Sequence, residues 1–223
     1  MSHGQSSLSL YLASANPGKL REFRQAANAR GIQVEPVPNF RDLPICIEDG
    51  ATFEENARKK ALHYGAATEG LVFADDSGIC LDALGGAPGV YSARFSGPDS
   101  TDESNNQKML NELHRLESGG PGTPTLVTQE KHTGKLTHRP INRAAHYVCV
   151  IALAERGHLL TVVEGRAHGL IIDEPRGSGG FGYDPYFFFP PLGKTFAELT
   201  PEAKFAVSHR GEAFRKLLDF LTL

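Results

Sequence analysis

The stretch from Ser9 to Val37 limits the fold of this chain more than any other. Ser9 to Ala13 reads as a short strand that ends at a turn. Pro17 then stands where a helix begins and Gly31 where it ends, which is the Pro-first, Gly-last asymmetry of helices. Ile32 to Val37 reads as a second strand. A strand, a helix and a strand in close succession commit this end of the chain to an α/β arrangement.

The alternation continues. Thr52-Phe53-Glu54-Glu55 has the capping-box pattern, and the helix it opens runs to about Ala67 with Asn56 and Lys60 on one face. Leu71 to Ala74 reads as a short apolar strand, with Asp75-Asp76-Ser77-Gly78 at its end. Asp99 to Leu116 carries a helical stripe of Met109, Leu110, Leu113 and Leu116. Ser118 to Pro140 is rich in Gly, Pro and Thr and reads as a mobile loop or an extended hairpin. Arg143 to Leu153 and His158 to Val163 read as an antiparallel hairpin about Glu155-Arg156-Gly157, and Arg166 to Ile172 as a further strand. Ser208 caps a last helix whose Phe214, Leu217, Leu218 and Leu221 fall on one face. The expected fold class is α/β, a mixed sheet flanked by helices. Residues 1–7 read as a disordered tail and 8–223 as one domain.

Composition excludes several classes. A net charge of −3 offers no basic excess for nucleic acid or an anionic membrane. Cys46, Cys80 and Cys149 are odd in number, far apart and without a CxxC, so neither a disulfide framework nor a zinc site is expected and a reducing compartment fits. No Lys or Arg precedes the first apolar stretch, so it does not read as a signal peptide. The longest nearly apolar run, Tyr147 to Ala154, is far short of the roughly 20 residues that span a bilayer. The cytoplasm is the expected location.

Four segments carry chemistry. Ser14-Ala15-Asn16-Pro17-Gly18-Lys19 joins a strand to a helix, where free N–H groups and a lysine favour phosphate. Ala13 and Leu20 stand where a P-loop needs Gly and Ser/Thr, so a P-loop kinase or NTPase is disfavoured. Asp75-Asp76-Ser77-Gly78 pairs two carboxylates that need a cation nearby, and Mg²⁺ takes one or two carboxylates plus substrate phosphates; the same four residues also suit a plain turn. Gly177-Ser178-Gly179-Gly180-Phe181-Gly182-Tyr183-Asp184-Pro185 sets aromatics among glycines, which suits close approach to a base or an ordinary flexible loop. Lys204 and Ser208-His209-Arg210-Gly211 offer donors to a purine carbonyl, or a capped helix start with solvated neighbours. Glu48 and Lys60 are unremarkable in isolation.

Together and in this order, SANPGKLREF (14–23), TFEENARKKA (52–61), FADDSGICLDALGGAPGVYSARFSG (73–97), GSGGFGYDPYFFFP (177–190) and KTFAELTPEAKFAVSHRG (194–211) resemble the inosine triphosphate pyrophosphatase family. The resemblance spans nearly the whole chain. It implies an elongated two-lobed mixed α/β fold with a central active-site cleft, a cytosolic homodimer, and Mg²⁺-dependent hydrolysis of ITP, dITP or XTP to the monophosphate and pyrophosphate. By position it makes Asp76 the metal-binding general base with Asp75 beside it, and Glu48 a second metal-side acid. Ser14, Ala15, Asn16, Pro17, Gly18 and Lys19 hold the triphosphate, with Lys60 assisting. Ser77, Phe181, Gly182, Tyr183, Asp184, Lys204, His209 and Arg210 line the nucleotide site. The chain departs from the family in its long Ser118–Pro140 segment and in Ser14-Ala15, where Thr-Gly is more familiar. Competing readings are a pyrophosphatase for other NTPs and a nucleotide-binding module without turnover.

Overall fold

A computed structural model describes residues 8–119, 128–129, 136–137 and 141–222. The expected tail, 1–7, and most of the 118–140 segment lie outside these. The elements are β1 (Ser9–Leu12), α1 (Pro17–Asn28), β2 (Gln33–Pro36), α2 (Phe53–Ala66), β3 (Leu71–Leu81), α3 (Asp102–Glu117), β4 (Thr128–Gln129), β5 (Leu136–Thr137), β6 (Ala144–Glu155), β7 (His158–Ile171), β8 (Phe187–Phe189), β9 (Lys194–Thr195), α4 (Pro201–Val207) and α5 (His209–Leu221). One sheet has the order β2-β1-β3-β6-β7-β8-β9. β1 is parallel to β2 and β3, whereas β8 is antiparallel to β7 and β9, so the sheet is mixed as expected. β4 and β5 pair antiparallel as a separate ladder.

Three expectations change. The Asp75–Gly78 segment is no turn at a strand end: β3 runs straight through it, with Ile79 and Leu81 buried beyond. His158–Val163 and Arg166–Ile172 are one strand, β7, because Gly165 does not interrupt it. A Cβ there would lie 2.2 Å from the His209 carbonyl oxygen, so the glycine admits the start of α5. α3 begins at Asp102, three residues later than expected, because Thr101 and Ser104 form the reciprocal capping box. The β6–β7 turn is as expected, with Arg156 and Gly157 both at positive φ (48° and 77°), the type I′ geometry of two-residue hairpins.

The chain divides into two compact units. The first comprises Met1–Gly78, Tyr147–Ala167 and Leu199–Leu223; the second comprises Ile79–His146 and His168–Glu198. In the first, strand alternation decides which side chains meet which helix. Leu10 and Leu12 of β1, Phe73 of β3, and Cys149, Ile151 and Leu153 of β6 pack with Phe23 of α1 and Phe214, Leu217 and Leu218 of α5. Phe23, Phe73 and Phe214 form a triangle of rings 4.9–5.7 Å apart. Emptying one corner, as in Phe214→Ala, costs about 3–5 kcal/mol. α2 packs elsewhere: a Cβ added to Gly65 would come within 3.3 Å of Ala154, and one added to Gly157 at the β6–β7 turn within 3.2 Å of Ala66, so this contact is close.

In the second unit, α3 buries Met109, Leu110, Leu113 and Leu116, the expected stripe. Phe187 packs on Phe196 at 4.7 Å between ring centres.

Candidate active site

Phe73, Asp75 and Ser77 share one face of β3, and Val72, Ala74 and Asp76 share the other. The two acids therefore meet different helices. On the first face the helices that bury Phe73 also bring cations to Asp75. Lys19, in the first turn of α1, places Nζ 2.8 Å from Asp75 Oδ2. Arg210, in the first turn of α5, has Nε 3.9 Å from the same oxygen and donates through Nη2 to Ser77 Oγ at 3.2 Å. Ser77 Oγ in turn donates to Asp75 Oδ2 at 3.2 Å. Burial alone raises the Asp75 pKa, but Lys19, Arg210 and Lys60 outweigh it and hold the carboxyl below the usual range. Asp75 is thus a buried carboxylate that stays charged.

Behind Lys19, Glu22 takes Lys204 Nζ at 2.9 Å on one oxygen and the Arg210 guanidinium on the other. Burial opposes ionisation of Glu22, and Arg210 and Lys204 overcome it, so its pKa is lowered. Three cations therefore face two carboxylates on this side, leaving a net positive charge. His209 is buried and lies flat on Tyr147, with ring centres 4.5 Å apart and planes within 7°. Burial, Arg210, Lys204 and Lys19 all push its pKa well down, so the ring is neutral. Among the described residues, its Nδ1 and Asp75 Oδ1 are buried polar atoms without a hydrogen-bond partner. Ser208 caps α5 as expected, accepting from Gly211 N at 3.1 Å, but its neighbours are not solvated: His209 and Arg210 are each 3% exposed.

On the other face, α2 supplies the partners. Asn56 Nδ2 donates to Asp76 Oδ2 at 3.1 Å, and Lys60 Nζ lies 3.7 Å from Asp76 Oδ1 and 2.6 Å from Glu48 Oε2. The i, i+4 spacing of Asn56 and Lys60 therefore brings both to Asp76, and both are buried, Lys60 included. Burial dominates at Asp76 and raises its pKa, against the lowering effects of Lys60 and Asn56. Two carboxylates here share one ammonium, so this side is left negative.

The Ser14–Lys19 turn differs from expectation in one respect. Asn16 Oδ1 caps α1, accepting from Gly18 N at 2.8 Å and Lys19 N at 3.1 Å, so two of the helix's first N–H groups are already taken. The Ser14 hydroxyl accepts from Asn16 N at 3.2 Å, and the Lys19 ammonium pairs with Asp75.

Phe181, Gly182, Tyr183 and Asp184 belong to the second unit. The loop that carries them is locked, not loose. Gly182 N donates to Asp102 at 2.6 Å and Gly182 O accepts from Asn106 at 3.0 Å. Asp184 accepts from Phe181 N at 2.9 Å, and a Cβ on Gly180 would lie 2.1 Å from that carboxylate. Gly177 likewise lies against Ala197. These two glycines make room for protein atoms. Tyr183 is buried with its hydroxyl donating to Ser92 O at 2.8 Å, which leaves Phe181 as the partly exposed ring of the pair.

Residues 10–127 and 125–220 match the sequence pattern of the Ham1 family. The chain belongs to the Ham1 family. Among its relatives, the dITP/XTP pyrophosphatase of Geobacter sulfurreducens is 44% identical over 212 residues, covering 95% of this chain and 96% of the relative. That of Geobacillus kaustophilus is 42% identical, covering 93% and 91%. The HAM1 protein structure from Coxiella burnetii superposes with a TM-score of 0.77 at 38% identity, covering 96% of this chain and 98% of that one. A nucleoside-triphosphatase / dITP/XTP pyrophosphatase from Mycobacterium abscessus gives 0.62 at 37%, covering 95% and 99%.

Two site residues of this Ham1-family chain escape the sequence reading. Glu22 sits one turn after Lys19, beside Phe23, and that i, i+3 spacing on an inward stripe was the available signal. Tyr147 gives none, because its partner His209 comes from a distant helix. A pocket of about 320 Å³ lined by Glu22, Ala26, Phe205, Phe214 and Leu218, among others, also lies in the first unit. Asp75, Asp76, Lys19 and Lys60 do not line it.

Proposed function

We propose that this Ham1-family chain hydrolyses dITP, XTP and ITP to the nucleoside monophosphate and pyrophosphate. The observation that carries the chemistry is the division of Asp75 and Asp76 between a net-positive and a net-negative face. The first suits polyphosphate and the second suits a divalent cation.

Asp76 and Glu48 are hard oxygen donors sharing one lysine, and Asp76 is buried beyond what its partners compensate. Among the described residues no group of three or more His, Cys, Asp or Glu is arranged to hold a metal. A two-carboxylate set completed by substrate oxygens fits Mg²⁺. When bound, Mg²⁺ neutralises phosphate charge and orients the attacking water. Asp76 accepts that water's proton. The Lys19 and Lys60 ammonium groups stabilise charge on the phosphates. Lys19 is fixed by Asp75 and Lys60 by Glu48, so neither needs to be ordered by the substrate.

Base choice follows from donors. Arg210 is always charged, and neutral His209 has a ring nitrogen with no partner among the described residues. A 6-oxo purine presents an acceptor to such donors, whereas adenine presents an amine, so that a donor faces a donor. The homodimer and the cytoplasmic location implied by the resemblance belong to the same proposal. No helix among the described residues is long and apolar enough to cross a membrane. Pyrophosphate release from a panel of nucleotides tests the reading, and light scattering tests the dimer.

A further inference from the structure

Four consecutive residues ahead of α2 are clasped by four residues of its first turns. Glu48 meets Lys60, Asp49 meets Lys59, Gly50 N donates to Asn56 Oδ1 at 2.8 Å, and Ala51 N donates to Glu55 Oε2 at 2.7 Å. Asn56 does more than close this clasp. It is 1% exposed, and its amide NH₂ donates to Asp76 Oδ2 at 3.1 Å while its carbonyl oxygen holds Gly50. One buried side chain thus spans from the segment that carries Glu48 to the strand that carries Asp76.

The chemistry of the position is restrictive. It needs a donor on one end and an acceptor on the other, and a primary amide supplies both. A carboxylate would set like charge against Asp76, and an aliphatic side chain would leave Gly50 N and Asp76 Oδ2 without a partner. Gly50 is fitted to the same contact: a Cβ there would come within 2.7 Å of Asn56 Oδ1 and 2.8 Å of Glu55 Cβ.

We infer that Asn56 is a positioning residue that sets the spacing between Asp76 and the Glu48 segment, and through that spacing the protein's hold on a divalent cation. The inference rests on the function proposed above. Its test adds a measurement that does not depend on turnover.

Mn²⁺ alone is titrated into nucleotide-free protein and followed by water-proton relaxation; kcat and KM for dITP are measured separately. Partners that orient metal ligands typically change affinity or activity by about 10–100-fold when removed. Asn56→Leu is expected to weaken Mn²⁺ binding by at least about tenfold and to lower kcat as much, with KM at saturating metal within about threefold. Lys59→Ala opens the exposed part of the clasp without touching Asp76 and is expected to leave both readings within about twofold. Asn56→Asp keeps the size and the acceptor for Gly50 but loses the donor to Asp76; its kcat is expected to fall at least about tenfold. That variant decides the matter if Asn56→Leu does not fold. Wild-type Mn²⁺ affinity and kcat in folded Asn56→Leu, or wild-type kcat in Asn56→Asp, overturns the inference. Wild-type protein inactive on dITP overturns the proposed function instead, and the Mn²⁺ comparison still judges Asn56.

Discussion

Asp75 and Asp76 are neighbours in the chain yet face opposite sides of β3: Lys19 meets Asp75 at 2.8 Å, and Asn56 meets Asp76 at 3.1 Å. The two acids therefore have different direct partners, although Lys60 also acts on Asp75 and Lys19 on Asp76. Asp75 is a fully buried anchor for cations, and Asp76 is a partly reachable acid whose charge is only partly compensated.

The two isosteric substitutions should separate these roles. Asp76→Asn is expected to lower kcat by about 10²–10⁴ with little change in stability, as for loss of a general base. Asp75→Asn leaves Lys19 and Arg210 facing a neutral group in a buried setting and is expected to cost about 3–5 kcal/mol in urea unfolding. Near-normal turnover in Asp76→Asn contradicts the assigned base.

Lys19→Met tests the phosphate contact. Loss of a charge-assisted contact is worth about 1.5–3 kcal/mol, or about 10–150-fold in kcat/KM. Steady-state kinetics on dITP provides the measurement, and a change under about threefold contradicts the role.

Legibility in the sequence follows the range of the interaction. The starts of α1, α2 and α5 are readable because Pro17, Thr52 and Ser208 announce them locally. Asn56 and Lys60 are readable as a pair for the same reason, since helical spacing is short-range. The strand through Asp75-Asp76-Ser77-Gly78 is not readable, because those residue types favour turns and the place of β3 between β1 and β6 is set by residues distant in sequence. Glu22 is missed on similar grounds: its partners Lys204 and Arg210 lie 182 and 188 positions away. The glycine-rich loop reads as ligand-facing, yet the clearances at Gly177 and Gly180 are filled by Ala197 and Asp184.

Acid should destabilise the fold through Asp75 and Glu22. Both have pKa values lowered in the folded state, against burial, by Lys19 and Arg210 in one case and by Arg210 and Lys204 in the other. Their contribution is complete above the ordinary carboxylate range, near pH 4, and is lost as pH falls through the lowered values. Asp76 has the opposite sign and recovers a little stability on protonation. Urea midpoints are expected to drop between pH 6 and pH 3, and Glu22→Gln is expected to shrink that drop. Equal pH dependence in the variant and the wild type contradicts the assignment.

Chelation should separate activity from folding. Lys60 already spans Glu48 and Asp76, so the acids are held without a metal. EDTA is expected to stop pyrophosphate release, with recovery on added Mg²⁺, while the thermal midpoint stays within a few degrees. Full turnover in EDTA contradicts the metal assignment.

The most direct measurement is pyrophosphate release from dITP, XTP, ITP, GTP and ATP under one Mg²⁺ concentration. Donors at His209 and Arg210 should favour dITP, XTP and ITP over ATP by at least about 100-fold in kcat/KM. Equal kcat/KM for ATP and dITP contradicts the proposed substrate class.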